Sequence, residues 1–222
     1  MADFLLILPI LLLSVVAHEY AHAWTAYRQG DDTALALGRL TLNPVPHIGL
    51  FSSILLPVML WVATKGAFTF GSAKPVPINP SKFKHYVRGD IIVSTAGVAM
   101  NVLIALLCAG AYVLIGLAGQ ASGADVFKTL QYIAGVGIGL NVLLAIFNLI
   151  PLPPLDGSHL LYHALPRRLA AGYQRFGRFG FVVLLLSFWL LPRMRDVLLT
   201  PVDVLQRHTM AWLQPWSLGP LH

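Results

Sequence analysis

Five apolar runs, at about 4–27, 50–64, 91–118, 126–150 and 177–192, decide what this chain of 222 residues can fold into. At 1.5 Å of rise per residue, a helix needs about 20 apolar residues to cross the hydrocarbon of a bilayer, and the first, third and fourth runs are comfortably long enough. Only 11% of the side chains are charged, against about 25% in an ordinary soluble domain. Such a composition cannot clothe five apolar segments in a water-exposed surface, so lipid is the solvent for much of the chain. The expected fold is an all-α polytopic membrane protein with about four to five transmembrane helices.

The exceptions to regular spanning are specific. Run 50–64 is short and carries Pro57 in its middle, which suits a short span, a re-entrant segment or a buried hairpin. Run 177–192 needs a slight extension to span. The tail 196–213 mixes Asp203, Arg207 and His208 with Val204, Leu205 and Trp212, the pattern of an interfacial helix. Segments 38–49 and 71–84 are rich in Pro and Gly and are expected as extended strand or turn, including a β-hairpin, at the membrane edge. No repeat or appended soluble domain is visible, so residues 1–222 read as a single membrane domain. Met1-Ala2-Asp3 lacks a positive leader region, and the first run is expected as a retained helix.

Composition also removes function classes. The single cysteine, Cys108, lies inside an apolar run and excludes an intrachain disulfide and a Cys-based zinc cluster. The formal charge of +6 comes from fifteen Lys and Arg in short loops rather than on a basic helix face. It serves membrane orientation, and no nucleic-acid partner is expected.

The chemistry begins at His18-Glu19-Tyr20-Ala21-His22. A spacing of four puts both imidazoles on one helix face, where they can grip one zinc ion while Glu19 addresses a water. Glu19 is the sole glutamate of the chain, and an ionisable residue in an apolar stretch costs about 3 kcal/mol or more and marks function. A hydrolytic zinc site wants a third protein ligand and an open position. Asp156 is the best acidic candidate: Pro151, Pro153 and Pro154 break the preceding helix and Gly157 lets the backbone turn sharply. His159, His163 and His47 are the rival ligands, with His159 also placed to hydrogen-bond near the metal.

Taken together, HEYAH in an apolar helix, Gly97-Val98-Ala99-Met100-Asn101 opening a later helix, and Asn148-x-x-Pro151-x-Pro153-x-x-Asp156-Gly157 resemble the site-2 protease family of intramembrane zinc metalloproteases, peptidase M50. GRLTLNP and AKPVPINP in the two loops look like its compact bacterial branch, which lacks PDZ and CBS domains. The resemblance covers about residues 5–165; residues 166–222 add a further helix and the tail. It implies one Zn2+ per chain held by His18, His22 and Asp156, Glu19 as catalytic acid/base and Asn148 as a substrate contact. His159 and Asn101 would support the ligands from behind. It further implies a membrane-anchored protein or peptide substrate cut within or near its transmembrane segment, in a bacterial inner membrane. Two departures stand out: Val98 takes the place of a proline common in the second motif, and His47-Ile48-Gly49 stands where relatives often carry His-Ile-Asp. A membrane zinc carrier, a prenyl-protein-type intramembrane peptidase and a catalytically dead scaffold are the competing classes.

Joining His18, His22 and Asp156 on one ion requires the ends of runs 4–27 and 126–150 to share a membrane side. That is met if 91–118 and 126–150 span and 50–64 does not. Loops 28–49, 65–90 and 167–178 then hold eleven of the fifteen Lys and Arg on that side, against Lys128, Arg193, Arg195 and Arg207 opposite. By the positive-inside rule the richer side is cytoplasmic.

Overall fold

The computed structural model describes residues 2–49, 55, 59, 62, 74–190 and 192–219. Run 50–64 therefore lies outside the described residues, apart from three isolated positions, and so do residues 71–73 of the second loop. The described residues form helices, turns and unpaired loops, without strands. The helices are α1 (Ala2–Gln29), α2 (Thr33–Ala36), α3 (Tyr86–Ser122), α4 (Val126–Asn148), α5 (Gly157–Ala164), α6 (Arg167–Leu190) and α7 (Pro192–Leu213). Among the described residues, three segments are long and apolar enough to cross a membrane: Ile7–Gln29, Tyr86–Ser122 and Val126–Asn148. They coincide with the three long runs of the sequence. At 37 residues, α3 measures about 55 Å, nearly twice the thickness of the hydrocarbon.

One expectation is corrected. Residues 97–101 do not open a helix, because α3 starts at Tyr86 and carries them in its interior. Val98 keeps the N–H that proline lacks, which is compatible with a helix running through this position without a break. Residues 38–49 form turns and a short 3-10 turn at Val45–His47, the turn of the strand-or-turn expectation. Prolines 44 and 46 deny that segment the donors a ladder needs.

The chain divides into two compact units, Leu11–Gly97 on the one hand and Met1–Ile10 with Val98–His222 on the other. In the unit of residues 11–97, small residues on α1 allow close approach of the loop that follows. Ala23 packs with Ala34 and Val76, and Ala26 with Phe83 and Val93. The end of α1 is set by Gly30, whose φ is +111°. Its N–H bonds Tyr27 O at 3.0 Å and the next, from Asp31, bonds Ala26 O at 3.0 Å, the pairing of a Schellman cap. Asp31 is then buried and accepts from the Asn79 amide at 2.6 Å and the Thr33 amide at 3.0 Å. An added Cβ at Gly30 would stand 3.0 Å from Lys82 O, and left-handed backbone costs an L-residue about 1–2 kcal/mol. Gly30→Ala should therefore lower the apparent thermal midpoint of the detergent-solubilised protein by about 2–8 °C; an unchanged midpoint would contradict the cap.

The other unit is built on α4. Ala134, Ile138 and Val142 face Ala105 and Tyr112 of α3 and Val202 and Leu213 of α7. Polar pairs inside this apolar core are satisfied, as burial demands: Asn101 Nδ2 donates to Asn141 Oδ1 at 2.9 Å and Asn141 Nδ2 to Gly137 O at 2.9 Å. Gln131 donates to Tyr112 O and Trp216 O and accepts from the Leu218 amide. After α4 the prolines stop the helix, and the chain doubles back on itself. Gly157 is so close to the end of α4 that a Cβ there would lie 2.2 Å from Leu149 O, and one at Gly180 of α6 would lie 1.8 Å from Pro153 O. Glycine at both places is what lets the Pro151–Leu155 turn sit between helices.

Candidate metal centre

His18 and His22 stand on α1, one turn apart, both nearly buried at 7% and 6% exposure. Their rings meet edge to face with centroids 4.6 Å apart, and the two Nε2 atoms are 3.0 Å apart. A tetrahedral zinc ion at about 2.0–2.1 Å from each nitrogen needs a spacing of about 3.3 Å, a few tenths more than is found. His22 is held from behind: its Nδ1 lies 2.7 Å from Val93 O on α3. With the proton on Nδ1 donated to that carbonyl, Nε2 carries the lone pair, the arrangement typical of a zinc-ligating histidine.

One turn beyond Val93, on the same face of α3, is Gly97. A Cβ at Gly97 would fall 2.5 Å from both Nε2 atoms. The space in front of the imidazole nitrogens thus exists because residue 97 has no side chain. Two imidazole nitrogens close to metal-bite spacing, a His22 tautomer set by Val93 O and a cleared space beside them fit a zinc ion.

Glu19, between the histidines, is half-buried, and its Oε2 accepts the Val76 amide at 2.8 Å. Val76 belongs to the Lys74-Pro-Val-Pro-Ile-Asn79 segment, which precedes a short 3-10 turn at Pro80–Lys82. Residues 74, 76 and 79 each precede a proline, which biases them to extended backbone. Their amides are the ones spent outward, on His47 O, Glu19 and Asp31 respectively. The segment is pinned further by Arg39, 8% exposed, whose Nη2 donates to Lys74 O at 2.6 Å and Pro75 O at 3.3 Å. His47 is fully buried and bonds Thr41 O through Nε2 at 3.0 Å. At the rim, the Lys82 ammonium bonds Asp32 at 2.5 Å. That hydrogen bond and the attending charge hold the Asp32 carboxyl below its usual range and Lys82 above its own.

In the other unit, Asp156 occupies the residue before α5, where an aspartate ordinarily caps the helix. Its carboxylate makes no such cap bond to the helix amides. Asn148 is the last residue of α4 and turns its Nδ2 back onto Leu144 O at 2.9 Å. Asn101 is fully buried and bonded to Asn141. His159 is exposed, and the His163 ring rests on Tyr162 at 5.0 Å. The contributions of Val76, Arg39, Val93 and the gap at Gly97 go beyond the sequence reading. Their signal is faint: the prolines at 75, 77 and 80 show an extended segment, but not what its amides reach.

Comparison with known proteins agrees with this chemistry. A profile of peptidase family M50 matches residues 113–190, the stretch that contains Asn148 and Asp156. YwhC of Bacillus subtilis, named provisionally as a zinc metalloprotease, is 37% identical over 178 residues, which span 80% of this chain and 77% of YwhC. Rip2 of Mycolicibacterium smegmatis, named in the same way, is 33% identical over 83% of this chain and 68% of its own length. Rip2 of Mycobacterium tuberculosis is 31% identical over 83% of this chain and 67% of its own. No solved structure matches the chain. With relatives this similar over most of both chains, and with helices fit to cross a bilayer, the chain belongs to peptidase family M50, the site-2 protease family of membrane zinc metalloproteases.

Proposed function

We propose that this protein is an intramembrane zinc metalloendopeptidase that hydrolyses peptide bonds within or near the transmembrane segments of membrane-anchored proteins. The observation that carries the reading is the pair of His18 and His22 nitrogens, 3.0 Å apart, before the space that Gly97 leaves open. Asp156 is the third ligand. Zinc bound by these three would supply Lewis acidity toward the scissile carbonyl and toward water. Glu19 takes the proton from the attacking water and returns it to the departing amine. A substrate helix must unwind to be cut, and each backbone group it frees in lipid needs a partner; Asn148 is proposed to supply one.

The site is proposed to lie toward the cytoplasmic face of a bacterial inner membrane. The distribution of eleven of fifteen Lys and Arg over loops 28–49, 65–90 and 167–178 supports this orientation.

The test uses the full chain in detergent and a synthetic single-span peptide of about 20 apolar residues, broken by a central Asn-Pro and carrying a fluorophore and quencher on either side. One zinc per chain by metal analysis is expected, with cleavage that is lost on dialysis against a chelator and restored by added zinc. Cleavage that survives complete removal of the metal would overturn the assignment.

A further inference from the structure

We propose that the Val76 amide is a built-in positioning group for Glu19, and that Arg39 keeps it there. The inference rests on the catalytic role proposed above for Glu19.

Proton transfer demands a carboxylate whose reacting oxygen is held in direction, and a side chain with several rotatable bonds does not hold itself. Glu19 has one oxygen tied: Oε2 accepts the Val76 N–H at 2.8 Å. A hydrogen bond to a charged acceptor is among the stronger ones a protein makes, and this one leaves Oε1 as the oxygen to meet water. The donor is a backbone group, so its own direction depends on the segment that carries it. Three features fix that segment. Pro75 and Pro77 flank Val76 and restrict the chain on both sides. The Val76 side chain is buried against Ala23 and Ala34. The buried Arg39 guanidinium reaches across to the carbonyls of Lys74 and Pro75, the two residues before Val76. A buried arginine spent on two main-chain carbonyls is costly unless the position it fixes matters.

Two substitutions separate the amide from the side chain. Val76→Pro deletes the N–H in a segment already shaped by prolines, whereas Val76→Ala keeps the N–H and removes packing. The expected result is a kcat for Val76→Pro about tenfold or more below that of Val76→Ala, with KM within about twofold and zinc still at one per chain. Arg39→Ala should lower kcat in the same manner, and Arg39→Lys should recover part of it, since a lysine ammonium can still donate to a carbonyl.

The inference is overturned if Val76→Pro and Val76→Ala turn over the peptide at the same rate, or if the loss appears as zinc release or a raised KM, which would mark a structural role. Independently of turnover, Glu19→Ala should speed hydrogen exchange at the Val76 amide; unchanged exchange also overturns it. Failure of the underlying peptidase reading looks different: there Glu19→Gln would cleave normally, or the wild-type chain would hold no zinc.

Discussion

Glu19→Gln is expected to lower cleavage of the membrane peptide by about a hundred- to ten-thousand-fold while leaving the zinc content at one per chain. The substitution changes almost nothing but the basicity of the group. The carboxamide has the same shape, and its oxygen can still accept the Val76 amide that Glu19 Oε2 accepts at 2.8 Å. His18 and His22 keep their spacing, because His22 is tied to Val93 O rather than to Glu19. A fall in rate at constant metal content therefore isolates the proton transfer. The measurement is paired: metal analysis and initial rates on the same preparation. Wild-type rates in the variant would remove Glu19 from the mechanism, and loss of zinc would make it a ligand instead.

Gly97→Ala should act the other way, removing the metal and leaving the fold intact. The new methyl would sit 2.5 Å from the Nε2 atoms of both His18 and His22, well inside van der Waals contact. The rings are the groups that must yield, since residue 97 is on the backbone of a long helix. His22 has little room to do so without breaking its 2.7 Å bond to Val93 O. Zinc affinity is expected to fall by at least about 10- to 100-fold, the loss typical when the groups that orient a ligand are disturbed. Glycine inside a helix is less favourable than alanine by about 1 kcal/mol, which offsets part of the roughly 1–3 kcal/mol that displacing the rings costs, so the thermal midpoint of the metal-free protein should fall by no more than a few degrees. A stable apo-protein with weak zinc binding is a signature that general misfolding does not produce. Normal zinc affinity in this variant would mean that the space before the imidazoles is not where the ion resides.

Parts of this were legible in the sequence for a plain reason. Apolar length is a property of consecutive residues, so α1, α3 and α4 could be read from runs 4–27, 91–118 and 126–150. The spacing of His18 and His22 is equally local, since 3.6 residues per turn puts positions four apart on one face. Segment boundaries were less legible. Residues 97–101 were expected at a helix start and lie eleven or more residues inside one, because the helix extends past its apolar stretch through Tyr86–Asp90, where local hydropathy falls but no proline or glycine pair stops it.

Consecutive residues were thus enough to read the membrane character of the chain, the three helices that grow from its long apolar runs and the residue types of a zinc hydrolase. Tertiary structure alone decided which main-chain groups serve that site: Val76 N–H for Glu19, 57 residues away, and Val93 O for His22, 71 residues away. It also decided that an absent side chain, at Gly97, makes the room. The physical reason is that backbone amides and carbonyls are the same at every residue and a missing Cβ looks the same wherever glycine stands. Only the packing of one segment on another gives such groups an address.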